Sequence, residues 1–121
     1  MRFQIVTEND FTNFVKEAIT YNQLERYFTP KDNELDKLTN HFDITPDIAE
    51  IEKDKNSDGG LKLSHAQRRM LILLVALWNG HIADQVFQES FGSIGKLIHS
   101  MDRNNREMVA DIVMTYPGWG N

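Results

Sequence analysis

The chain contains no cysteine, which excludes disulfides, thiolate metal sites and cysteine nucleophiles and suits a reducing compartment, so the cytoplasm is the expected location. Long apolar runs are also missing. The longest, Met70 to Trp78, spans nine residues, against the roughly 20 needed to cross a bilayer. It therefore reads as a buried core helix, and no membrane partner is expected. The residues before Glu8 and Asp10 carry one positive charge and no long apolar stretch, so a secretory leader is not expected either. Alternation of apolar and polar residues, the mark of strands, is nearly absent: only Phe3 to Val6 could form a lone strand.

What is present is globular and helical. Hydrophobic residues make up 40% and charged residues 26% of 121 positions, too apolar for disorder at a net charge of −5 and the usual size for one domain. Phe11, Phe14, Val15, Ala18 and Ile19 recur at the spacing of one helix face behind Thr7 as N-cap. Thr29-Pro30 and Thr45-Pro46 each read as N-cap plus first helical residue. The first would open a helix with Leu35, Leu38 and Phe42 inward, the second a short helix with Ile48 and Ile51 inward. Asp54 to Gly60 is a loop. Ser64 and Gln67 form an S-x-x-Q capping box for a helix apolar on nearly all sides, ended by Asn79-Gly80. Ile82, Val86 and Phe87 suggest a next helix stopping near Gly92, and Ile94 to Met101 a short one after it. Asp102 caps a last helix whose face is Met108, Val109, Ile112, Val113 and Tyr116, stopped by Pro117-Gly118. The expectation is an all-α, compact single-domain bundle over 1–121, six to eight short helices around a central apolar helix at about 64–79.

Motifs with chemical content are few. Asp54-Lys55-Asn56-Ser57-Asp58-Gly59-Gly60-Leu61 follows the opening of an EF-hand loop, with Asp54, Asn56 and Asp58 as oxygen ligands. Position 12, where a bidentate glutamate belongs, is His65, a poor ligand for a hard cation. A calcium-binding module using 54–65 is thus an alternative, not the main reading, and no cofactor is expected. His41, His65, His81 and His99 show no zinc spacing, and His81 with Asp84 lacks an accompanying nucleophile. No catalytic residue is expected. Gly92 to Lys96 lacks the upstream glycine, the following Ser/Thr and the strand of a phosphate loop. Gln85 to Met101 loosely fits a helix-turn-helix, a second alternative as a DNA-binding regulator, but Lys96 and Arg103 are thin provision for phosphates.

Charge is the feature with direction. Asp32 to Asp58 holds nine acids against three lysines, a net of −6, while the remainder nets about +1. Such a segment repels nucleic acid and steers basic partners inward. With its length, the lack of cysteine and the ending Asp102-Arg103-Asn104-Asn105-Arg106 … Tyr116-Pro117-Gly118-Trp119, the chain resembles the small helical immunity proteins that bacteria pair with contact-dependent inhibition or related secreted toxins. The resemblance implies a non-enzymatic, stoichiometric inhibitor that occludes the active site of a cognate basic toxin, commonly a nuclease. It supplies no site residues; charge alone nominates Asp32, Asp36, Asp47, Glu50 and Glu52 as the partner-binding set.

Overall fold

The computed structural model describes residues 8–87 and 98–120. These form five α-helices, α1 (Glu8–Tyr21), α2 (Ile48–Lys55), α3 (His65–Trp78), α4 (Gly80–Phe87) and α5 (Arg103–Thr115). Three short 3-10 segments, η1 (Glu25–Tyr27), η2 (Asp32–Lys37) and η3 (His41–Asp43), and a two-strand ladder, β1 (Phe28–Thr29) with β2 (Thr45–Pro46), fill the stretch between α1 and α2. Phe28 pairs with Pro46 and Thr29 with Thr45, antiparallel. Most of the described chain is helical, with five α-helices among the described residues where six to eight were expected. Phe3 to Val6, Thr7, Gly92 and the first half of the short helix expected over 94–101 lie outside the described residues.

Where caps and periodicity agree, sequence and structure largely coincide, but Val113 and Tyr116, expected on the apolar face of the last helix, stand exposed, because the turn of the helix carries them past the buried row of Met108, Val109 and Ile112. Phe11, Val15, Ala18 and Ile19 are fully buried on α1, which packs chiefly on α5, where Met108, Val109 and Ile112 are buried. The Ser64 box closes in both directions: Ser64 Oγ accepts from Gln67 N at 3.1 Å and Gln67 Oε1 accepts from Ser64 N at 2.9 Å. Met70 through Val75 of α3 are all buried, which makes α3 the central helix. Asn79 both ends α3 and begins α4, because its side-chain oxygen accepts from Ile82 N at 3.1 Å. Asp102 caps α5 by accepting from Asn105 N at 2.8 Å.

The two Thr-Pro starts do not hold. Thr29 Oγ1 lies 2.6 Å from Thr45 Oγ1, so both hydroxyls serve the ladder instead of helix ends. The true cap of α2 is Asp47, two residues later, whose Oδ1 accepts from Glu50 N at 3.1 Å. The expected α-helix after Pro30 is the shorter η2, terminated where Lys16 Nζ donates to the carbonyls of Asp36 and Leu38 at 3.0 and 2.9 Å. Asn40 then caps a new turn by accepting from Phe42 N. That turn rotates His41 inward, fully buried, and Phe42 outward at 53% exposure. Leu35 is inside as expected and Leu38 partly so, whereas Phe42 is not.

Candidate partner-binding surface

The five nominated acids do not form one cluster. Asp47 is occupied by the fold: beyond its capping bond, its Oδ2 lies 3.3 Å from Lys31 Nζ. Glu50 and Asp54 stand one turn apart on α2, and Arg26 bridges them, with Nη2 2.9 Å from Glu50 Oε1 and 2.9 Å from Asp54 Oδ1. Arg26 Nε adds a second bond to Glu50 at 3.1 Å. The Glu50 hydrogen bond and the charge of Asp54 hold the guanidinium pKa above its ordinary value. Glu52 points away from this bridge and is exposed. Asp36 is exposed on η2 and borders a shallow depression on α1 lined by Lys16, Glu17, Thr20 and Tyr21. Asp32 opens η2, and its side chain is outside the described set.

Arg26 and Lys31 thus quench part of the negative charge counted along the segment. The pairing was obscured in sequence because both bases precede Asp32. The one available signal is the i, i+4 spacing of Glu50 and Asp54, which puts two acids on one face of α2 and asks for a cation between them.

The EF-hand-like loop is built as a turn. Asp54 closes it from the wrong side: one carboxylate oxygen faces Arg26 and the other accepts from Tyr27 Oη at 2.7 Å. Asn56 is the C-cap of α2, and Ser57 Oγ donates to Asp54 O at 2.6 Å. Gly59 and Gly60 take φ of 84° and 66°, a left-handed pair that only glycine adopts without strain. His65 begins α3. Among the described residues, no group of three or more His, Asp or Glu is placed to hold a metal ion. His81 and Asp84 are exposed on α4. Gly92 to Lys96 lies outside the described residues, as does most of the Gln85 to Met101 stretch.

Behind the Arg26 bridge lies a cleft of about 380 Å³, lined by Gln23, Arg26, Tyr27, Asp54, Ser57, Gly60, Lys62 and Leu63. Its polar groups are largely committed to one another. Burial, reinforced by the hydrogen bond to the Asp54 carboxylate, pushes the Tyr27 phenol up to about 12. At neutral pH the phenol donates its proton to the Asp54 carboxylate.

No family model, no curated protein and no solved structure matches this chain. Among the described residues, no helix is long and apolar enough to cross a membrane.

Proposed function

We propose that the chain is a non-enzymatic, cytoplasmic binding protein of the immunity type, which neutralises a cognate basic toxin by covering its active site. One observation carries this reading. After Arg26 and Lys31 have taken their partners, Glu34, Asp36, Asp43, Glu52 and Asp58 remain exposed, against two exposed lysines, Lys37 and Lys53, in the same stretch. The third, Lys55, is drawn onto the carbonyl of Val86 at 2.6 Å. A surface this one-sided accelerates encounter with a cationic partner and competes with the phosphates of its substrate.

The test follows from which acids are free. Expressed beside a basic toxin encoded in the adjoining reading frame, the chain is expected to restore growth. Reversal of Asp36, Asp43 and Glu52 to lysine is expected to slow association on the order of tenfold at low salt and to flatten its salt dependence. Asp47 and Glu50 are unsuitable, since one caps α2 and the other anchors Arg26. An unchanged association rate in this triple variant, with binding lost instead on neutralising Arg68, Arg69 and Arg106, would place recognition on the other half and remove the charge argument.

A further inference from the structure

The described surface exposes five large hydrophobic side chains, and four of them, Phe42, Val113, Met114 and Tyr116, lie on η3 and on α5 with its C-cap. Ring contacts and a hydrogen bond join the segments. Phe42 lies on the His41 ring with centroids 4.2 Å apart, and His41 Nε2 is 2.9 Å from Gly118 O. Phe11 sits beneath, its ring 5.1 Å from His41 and 5.7 Å from Tyr116. Phe42 and Tyr116 therefore rest on one buried aromatic nest. From Tyr116 the apolar surface runs back along α5, where Ala110, Val113 and Met114 share the solvent side at i, i+3, i+4 spacing. Exposures of 58% at Val113 and 79% at Met114 leave this stripe uncovered by the fold.

Within 38–48 and 107–118, the segments that carry the patch, the charged residues are Asp43, Asp47, Glu107 and Asp111. Lys31 reaches Asp47 at 3.3 Å and Arg103 reaches Glu107 at 3.2 Å, so the acids left beside the apolar centre are Asp43 and Asp111. Asp43 adjoins Phe42, and Asp111 lies between Ala110 and Met114; both are exposed. An aromatic and aliphatic centre inside a charged rim is the anatomy of a protein interface, in which the central anchors supply most of the affinity. Asp43 and Asp111 disfavour an anionic membrane here, and two copies would bring these like charges together.

We infer that the face centred on Phe42, Tyr116 and Met114 docks a protein partner that presents an apolar ridge flanked by lysine or arginine. This rests on the reading of the chain as a binder of basic proteins, and it locates where the grip, as distinct from the steering, resides.

The probe is a short amphipathic peptide of lysine and leucine titrated into the isotope-labelled protein. Chemical-shift changes are expected at Phe42, Val113, Met114 and Tyr116, and the double variant Phe42→Ser, Met114→Ser is expected to weaken binding at least about tenfold. Its melting temperature should fall only modestly, because Met114 is largely in water and Phe42 loses only its contact with the His41 ring. A peptide with serine for leucine that binds as well overturns the apolar centre, and one with glutamate for lysine that binds as well overturns the basic class. Shifts confined to α2 around Glu52 reject this face while leaving the basic-partner reading intact, whereas no binding anywhere counts against both. Dimerisation in sedimentation equilibrium, abolished by the same double variant, would assign the face to a second copy instead.

Discussion

Tyr27 shows how one side chain joins two stretches that sequence keeps apart. Its ring is buried at 6% exposure, and its hydroxyl donates to Asp54 across 27 positions. Deprotonation would set a phenolate against that carboxylate. The unfolded phenol titrates near 10 and the folded one near 12, so the native state holds this proton more tightly. The stability it contributes is whole below pH about 10 and disappears as pH climbs through the folded value. Near-ultraviolet absorbance should reveal one of the three tyrosines titrating near 12, and Tyr27→Phe should remove that phase and flatten the alkaline loss of stability; an unchanged titration would mean that the phenol is not held as described. His41 makes a second point at this scale. In sequence it is one of four histidines without a metal spacing, and nothing in helix periodicity separates it from Phe42 beside it. What decides is Asn40, whose side chain starts a turn of three residues per revolution where 3.6 was expected, exchanging which neighbour faces the core.

Among elements, those legible in advance carry their own start and stop. α3 has a complete capping box, an unbroken apolar run and Asn79 at its end, and α5 has Asp102 before it and Pro117 behind. Local chemistry and tertiary burial there point the same way. The stretch from 22 to 47 is different: its thresholds are set by partners far away, such as Lys16 on the η2 carbonyls and Thr45 on Thr29. The Thr-Pro starts were misleading because a threonine hydroxyl can serve a ladder as readily as a helix end. For α3 the consequence is quantitative. Leu74 has no exposed surface and lies mid-helix, so Leu74→Ala is expected to cost about 2–5 kcal/mol through the cavity left behind. Urea denaturation reads this directly, and a loss below about 1 kcal/mol would mean that the surroundings collapse into the space or that the residue is not central.

Across the whole molecule, the candidate surface was legible as charge and illegible as shape. The excess of acids between Asp32 and Asp58 is countable, but which of them Arg26 and Lys31 consume, and that Phe42 stands outside, depends on the path of irregular backbone. The same holds for the tail that closes the fold. Pro117-Gly118 marks the end of α5 in sequence, yet Trp119 beyond it is 3% exposed and belongs to the core. Its Nε1 donates to His41 O at 3.0 Å and to Ile44 O at 2.9 Å, while its ring meets Phe11 edge-on at 5.9 Å. Tyr116 Oη donates to Leu77 O at 3.0 Å, and a Cβ on Gly120 would fall 2.5 Å from the carbonyl oxygen of Trp78. The tail thus straps the η3 to β2 stretch and the end of α3 to α1. Two substitutions separate ring from hydrogen bonds. Trp119→Phe keeps most of the apolar contact but strips a donor from two carbonyls, an expected loss of about 1–3 kcal/mol. Trp119→Ala removes the ring as well, an expected loss of about 3–5 kcal/mol. In hydrogen exchange, both variants should open residues 41–46 before α3, since α3 keeps its own cap and its buried row from Met70 to Val75. If Trp119→Ala unfolds at the parent's urea midpoint, the tail does not hold the fold together.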